Sequence, residues 1–266
     1  ELIVQLAETL QRSKNIVVIT GAGISVASGI APFRKSNDAV WETNVTEKGT
    51  WHYFKSHPVD SLSWYFERFS VIEGKQANAS HHALKALEEW CTQKEKNFQL
   101  VTQNVDGLHH LAGSKKVIEV HGKYRFSRCT HSGCSNAAPL GRIDNSTLDF
   151  TTFTHNPTQE TIPRCPLCKS IVRPHILWFD EYYDGHEDYE YEKVIKSFTE
   201  ADLFIAIGTS FSVGITESAL YFSEKNKSIF WGLDLAADDD VPVDHWLLGK
   251  AEERLPQLIT RLSIHR

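Results

Sequence analysis

Four apolar, mostly β-branched runs punctuate the chain, and each breaks off at a glycine or a polar turn. They are Asn15 to Thr20 before Gly21, Phe98 to Thr102 before Gln103-Asn104, Leu203 to Ile207 before Gly208-Thr209-Ser210, and Ser228 to Leu233 before Asp234. Between them the apolar positions recur at helical spacing. Leu2, Ile3, Leu6 and Leu10 share a face over Glu1 to Lys14, as do Ala83, Leu84, Leu87, Trp90 and Cys91 over Ser80 to Lys94; Val213 to Glu224 and Glu252 to Leu262 look similar. Buried strands alternating with amphipathic helices predict an α/β fold, a doubly wound parallel sheet whose sites form at the C-terminal ends of the strands. A further short strand, Val117 to Val120, leads into His121. Two stretches escape the alternation: Lys35 to Lys75, dense in aromatics, and Arg128 to Val172, polar and holding cysteines. Both read as insertions forming a small second lobe, with Asp144 to Thr161 as an extended loop inside it.

The 266 residues suffice for one large α/β domain or one domain with an insertion. A net charge of −6 with scattered Lys and Arg argues against direct nucleic-acid binding, while basic protein tails stay open as partners. There is no apolar run of about 18 residues, and the amphipathic start is no signal peptide, so no membrane association is expected. An intracellular, cytoplasmic placement follows as an expectation, with nucleus and mitochondrion left open. Because the sequence has no Met, Glu1 is not expected to be the start of translation. Nothing in the pattern sets the oligomeric state.

Cys129-x4-Cys134 and Cys165-x2-Cys168 are two short pairs separated by a long insert, the arrangement that tetrahedral zinc takes on turns. Two unrelated pairs of cytosolic thiols are the alternative. Four sulfurs leave no open coordination position, which assigns such a zinc to structure. Cys91, within a helical pattern, reads as inert core.

The run from Val17 to Arg34 carries a second chemistry. A buried strand delivers Gly21-Ala22-Gly23, where missing Cβ atoms let backbone N–H groups approach a pyrophosphate and a following helix dipole favours its charge. In place of the third glycine of a G-x-G-x-x-G fingerprint comes Gly29, six residues after Gly23, and then Pro32-Phe33-Arg34. That spacing disfavours ordinary hydride transfer. At the next strand end, Gln103-Asn104-Val105-Asp106-Gly107-Leu108-His109 projects an amide and a carboxylate two residues apart, and His121 follows fifteen residues after Asp106. One imidazole beside that crevice has the chemistry of a general base, although a histidine at a strand end is often only structural.

Taken in order, these motifs resemble the sirtuins, NAD-dependent protein lysine deacylases. The resemblance rests on Gly21-Ala22-Gly23-Ile24-Ser25 through Ser28-Gly29-Ile30, Phe33-Arg34, Thr102 through His109, His121-Gly122, the four cysteines, Arg173-Pro174-His175 through Trp178-Phe179, and Gly208-Thr209-Ser210. It implies a single catalytic core over 1–266: a Rossmann-like lobe (1–34, 76–127, 173–266) and a smaller lobe made of a helical module (35–75) and a zinc ribbon (128–172). NAD and an acyl-lysine protein or peptide would enter between them. By the same resemblance Asn104 and Asp106 hold nicotinamide and its ribose, Phe33 shields the reacting carbon, and the acyl oxygen displaces nicotinamide. His121 then takes a proton from a ribose hydroxyl, which attacks the amide carbon, and water releases lysine and O-acyl-ADP-ribose. Gly21, Ala22, Gly23, Ser25, Arg34, Gln103, Gly208, Thr209, Ser210, Asp234 and Ala251 complete the implied cofactor set. For Arg34 the bland alternative is a surface salt bridge.

Three departures from the family pattern stand out. Asp234 replaces a usual Asn, Ala31-Pro32 replaces Pro-Asp or Pro-Thr, and Phe179-Asp180-Glu181 replaces the Phe-Gly-Glu that pairs with substrate backbone. A carboxylate at 234 still suits two ribose hydroxyls and disfavours a 2′-phosphorylated cofactor. Within the aromatic insertion, Tyr65 and Arg68 stand three apart on one helix face and match the Tyr-x-x-Arg of the branch that removes malonyl, succinyl and glutaryl groups, with Asn78-Ala79-Ser80-His81 following. A guanidinium there would bind an acyl carboxylate bidentately. A core Tyr and a solvated Arg are the alternative. Deacetylation without acidic-acyl preference, ADP-ribosyl transfer, NAD hydrolysis and a non-catalytic NAD-sensing module remain the competing functions.

Overall fold

Burial explains where the strands form. Numbered along the chain, they are β1 (Asn15–Thr20), β2 (Asn97–Thr102), β3 (Val117–Glu119), β4 (Gly122–Cys129), β5 (Ile143–Asp144), β6 (Val172–Ile176), β7 (Leu203–Ile207), β8 (Ile229–Asp234) and β9 (His245–Leu248). The computed structural model describes residues 1–31 and 46–264. Of these, 1–31, 75–118 and 192–264 form one compact unit and 46–74 and 119–191 the other.

The first unit is built on a six-stranded sheet in the order β3-β2-β1-β7-β8-β9. β1 runs parallel to β2 and β7, and β8 runs parallel to β7 and β9. Every residue of β7, and every residue of β1 after Asn15, is buried, as expected of a sheet covered on both faces. Leu6 and Leu10 from Leu2–Arg12, Leu84, Leu87 and Cys91 from Ala79–Gln93, and Leu255 and Leu258 from Ala251–Ile264 close one core with Ile16, Val18, Ile205 and Trp231. Cys91 has no exposed surface, and burial pushes its thiol up to about 12, which leaves it inert. Among the described residues, no helix is long and apolar enough to cross a membrane.

In the second unit β4 lies between β5 and β6 in an antiparallel three-stranded sheet. Helices Trp51–Ser56 and Pro58–Ser70 bring the rings of Trp51, Phe54 and Tyr65 to 6.1, 5.2 and 5.9 Å from Trp178. This partition differs from the boundaries that the sequence suggested. Residues 119–127 and 173–191, attached there to the parallel-sheet lobe, join the second unit because β4 and β6 pair with each other. The loop expected over Asp144 to Thr161 also needs correction. It holds a 3-10 turn, Asn145–Thr147, and a helix, Phe150–His155. Asp149 caps that helix by accepting from Thr152 N, and Phe150 and Phe153 pack on Phe66 at 4.4 and 6.1 Å.

Candidate active site

The strand order reverses between β1 and β7, where neighbouring loops diverge and doubly wound sheets place their ligands. The loops leaving these strands touch backbone to backbone. Gly21 N donates to Ile207 O at 3.0 Å and Gly23 N to Gly208 O at 2.9 Å. A Cβ on Gly21 would sit 2.6 Å from Gly208 O, and one on Gly23 2.7 Å from Gly208 Cα. Gly23→Ala is therefore expected to cost about 1–3 kcal/mol of stability, measured by urea unfolding. An unchanged midpoint would show that the two loops yield independently. From Ala22 the chain forms a 3-10 turn, Ala22–Ser28, in place of the α-helical start that the motif suggested, with Ile24 and Ser25 buried.

On this turn Ser25 Oγ donates to Asp106 Oδ2 at 2.6 Å, and Asn104 Nδ2 donates to Gly21 O and Ser25 Oγ, both at 3.1 Å. Asp106 Oδ1 accepts from Leu108 N at 2.9 Å, fixing the carboxylate at the start of the short helix Leu108–Leu111. Behind Asn104 a buried chain of hydroxyls supports the loop. Asn104 N donates to Thr102 Oγ1 at 3.1 Å, Thr20 Oγ1 donates to Thr102 Oγ1 at 2.8 Å, and His109 Nε2 lies 2.9 Å from Thr20 Oγ1. Burial, with His81 and His110 nearby, holds His109 well below the usual imidazole range, which keeps this chain neutral. Gln103 Nε2 donates to Thr209 Oγ1 at 3.0 Å, tying the end of β2 to the loop after β7. Ser210 Oγ and Ser212 Oγ lie 2.6 Å apart, Asp234 Oδ1 accepts from Leu235 N at 2.7 Å, and Ala251 opens the last helix. Phe33 and Arg34, with Pro32, lie outside the described residues.

Sequence reasoning missed the part played by Asn78 here. Its Nδ2 donates to Ile24 O at 2.8 Å and Ser28 Oγ at 2.9 Å, clamping the 3-10 turn, while its Oδ1 caps Ala79–Gln93 through Ser80 N. An Asn ahead of a helical run was the available signal. His81 completes the cap by accepting from Asn78 N at 3.2 Å, and burial, with His82 beside it, pushes this imidazole down to about 4.

In the second unit His121 precedes Gly122, whose φ of +94° and close approach to the His175 carbonyl exclude any side chain. Leu177 N donates to His121 O at 2.9 Å, so β6 fixes the backbone that carries the imidazole. His121 Nε2 lies 3.2 Å from Tyr183 Oη. In the following segment, Phe179 is half exposed and its N donates to Gly49 O at 3.0 Å. Its neighbour Asp180 caps helix Trp51–Ser56, accepting from Trp51 N at 2.7 Å and His52 N at 3.0 Å. This carboxylate thereby acquires a structural role that the usual glycine lacks. Glu181 is engaged as well. It accepts from Arg128 Nη2 at 3.1 Å, from Arg173 Nη2 at 2.9 Å and from Trp178 N at 3.0 Å, and it pairs with Arg173 Nη1. Burial pushes its carboxyl up, yet Arg173 and Arg128 together hold it below the usual range.

Tyr65 is buried edge-on to Trp64 at 4.8 Å, and burial raises its phenol pKa. The Arg68 guanidinium lies 3.6 Å over the Trp64 ring and donates through Nη1 to Trp64 O at 3.1 Å. Burial pulls its pKa down, while Glu67 and Tyr65 oppose that shift. Tyr65 and Arg68, three positions apart on helix Pro58–Ser70, thus both contact Trp64.

The four cysteines converge. Cys129 and Cys168 Sγ lie 3.3 Å apart, Cys134 and Cys165 Sγ 3.6 Å, and all four sulfurs are within 4.8 Å of one another. Tetrahedral Zn–S bonds of about 2.3 Å require sulfurs roughly 3.8 Å apart, so the set fits zinc with no position left for water. A second cluster, His175, His186 and Asp188, is internally bonded: His175 Nε2 meets Asp188 Oδ2 at 3.0 Å, and both nitrogens of His186 are engaged, by Gly141 O and Asp188 N.

Residues 21–214 match the Sir2 family. The NAD-dependent deacetylase sir2E of Dictyostelium discoideum is 32% identical over 267 residues, spanning 97% of this chain and 76% of that protein. An NAD-dependent protein deacylase of Leptospira interrogans is 33% identical over 251 residues, spanning 94% of this chain and 93% of the relative. Among solved structures, a Sir2 homologue in complex with NAD superimposes with a TM-score of 0.80 at 28% identity, covering 98% of this chain and 94% of that one. A mutant Sir2 homologue in complex with ADP-ribose gives a TM-score of 0.80 at 28% identity, covering 98% and 96%. Sequence, fold and the four-sulfur cluster agree, and the chain belongs to the Sir2 family.

Proposed function

We propose that this protein is an NAD-dependent protein-lysine deacylase that moves the acyl group to ADP-ribose with release of nicotinamide. The observation that carries the proposal is the Ser25–Asn104–Asp106 network at the β1/β7 switch point, an amide and a carboxylate held ready at a dinucleotide-binding edge. NAD, when bound, supplies an anomeric carbon whose nicotinamide can leave, so no protein nucleophile is needed. Asn104 and Asp106 orient the ligand from a loop locked to Gly21 and Leu108. Gln103, Thr209 and Ser210 present hydroxyls and an amide beside them. The imidazole of His121 accepts the proton of the attacking hydroxyl at a ring nitrogen, the general-base role to which an imidazole is suited.

The acyl group removed is, in this proposal, malonyl, succinyl or glutaryl. Tyr65 and Arg68 support that preference, because a phenol and a guanidinium on one helix face match an acyl carboxylate. Acyl-lysine peptides bearing acetyl, malonyl, succinyl and glutaryl groups, incubated with NAD and read by mass spectrometry, test reaction class and preference together. O-acyl-ADP-ribose is the expected product; free ADP-ribose would indicate NAD hydrolysis and an ADP-ribosylated peptide transfer. Arg68→Met is expected to lower kcat/KM on succinyl-lysine roughly ten- to a hundredfold, with little change on acetyl-lysine. Equal losses on both peptides would remove the acidic-acyl reading and leave a plain deacetylase.

A further inference from the structure

We propose that Tyr183 is a positioning residue for His121, a role that rests on His121 acting as the general base. The phenol oxygen lies 3.2 Å from Nε2, and the two rings stack at 5.8 Å with 23° between their planes. Tyr183 also stacks on Tyr191 at 5.3 Å and 16°, so its ring has two flat partners. The segment that carries it is pinned at both ends. Glu181 is bound by Arg128 and Arg173 on one side. On the other side, Glu187 N donates to Pro139 O at 2.9 Å and His186 Nε2 reaches Gly141 O at 3.0 Å. A tyrosine delivered by so constrained a turn has little freedom to leave the imidazole.

The chemistry of the pair suits a base that changes protonation state. A phenol both donates and accepts. For the base to work, Nδ1 must be the bare nitrogen, so Nε2 carries its hydrogen in both states and the phenol oxygen accepts from Nε2–H of the neutral imidazole and of the imidazolium. The contact therefore persists on both sides of the proton transfer, which a pure donor would not allow. It holds the ring plane while the proton from the attacking hydroxyl arrives, and it adds no charge of its own.

The test uses the full chain with NAD and an acyl-lysine peptide, comparing Tyr183→Phe, Tyr183→Leu and His121→Ala. Two rates are read: overall deacylation, and exchange of labelled nicotinamide into NAD, which reports the step before the base acts. Tyr183→Phe keeps the stack and loses the hydrogen bond. It is expected to lower kcat for deacylation about five- to tenfold, with exchange and KM for NAD held within about twofold. Tyr183→Leu should cost more in kcat and still spare exchange. Parallel loss of exchange and deacylation would mean a merely structural side chain and overturn the proposal, as would a wild-type kcat in Tyr183→Phe. A rise in kcat or a lower peptide KM would overturn it differently, by showing that the phenol obstructs substrate. If His121→Ala is inactive while Tyr183→Phe is fully active, the positioning role alone falls; if His121→Ala retains activity, the base assignment falls with it.

Discussion

Alanine at position 121 is expected to lower deacylation by roughly 10²- to 10⁴-fold, the range that a positioned acid–base group contributes. KM for NAD should change little, because the residues that would orient the dinucleotide, Ser25, Asn104, Asp106 and Gln103, are held by bonds to one another, to Gly21, to Leu108 and to Thr209. Nor should stability fall far, since the backbone of His121 is held by Leu177 N and by the crowding at Gly122, neither of which involves its side chain. Steady-state kinetics combined with a thermal melt separate these quantities. Deacylation within roughly tenfold of wild type, in a variant that melts normally, would end the assignment of His121 as base.

Loss of zinc is the second change with a large expected effect. Structural zinc in small modules contributes an apparent 10–16 kcal/mol of folding free energy at neutral pH, comparable to the whole stability of many domains at about 5–15 kcal/mol. Cys165 has no exposed surface, Cys129 is 3% exposed, and with Ala137, Ile143 and Val172 they form the apolar centre of the ribbon. Cys165→Ser is expected to abolish stoichiometric zinc by elemental analysis, lower the melting temperature markedly and remove activity together with the fold of the second unit. Wild-type protein stripped by a chelator should recover with zinc, and cobalt should restore it too, because four sulfurs leave the metal no catalytic position. A Cys165→Ser variant with normal melting and turnover would show that the ribbon stands without its metal.

The parallel sheet was legible because β1, β2, β7 and β8 are short apolar runs that end in glycine or polar turns, a local pattern. β9 was not, since His245–Leu248 has four residues at the sheet edge, follows an Asp- and Pro-rich stretch, and only Leu247 is buried. Boundaries of the second unit were misplaced for a different reason: the pairing of β4 with β6 joins residues far apart in sequence, and no periodicity records it. The helix Phe150–His155 was hidden by threonines around its two buried-facing phenylalanines.

Candidate ligand-binding residues were legible wherever a short motif carried them, as in Gly21-Ala22-Gly23 or Gln103-Asn104-Val105-Asp106. Their supports were not. Asp180 and Glu181 looked like substrate-loop residues, and only the folded chain gives Asp180 a helix to cap 128 and 129 residues away and Glu181 an arginine 53 residues away. The contact between His121 and Tyr183 spans 62 positions and has no sequence signature at all.

The contact of Gly21 and Gly23 with Gly208 has a consequence for how such a site can be altered. Two loops whose main chains lie against each other behave mechanically as a single hinge leaf, so displacement of one is inherited by the other. A substitution near Gly208 should loosen Ser25 and Asn104 as well as Thr209, and binding strength could then not be retuned at one end of a dinucleotide without disturbing the chemistry at the other. Variation that adapts this enzyme to new substrates is thereby directed away from the sheet edge and toward the aromatic helices and the Tyr183 turn of the second unit.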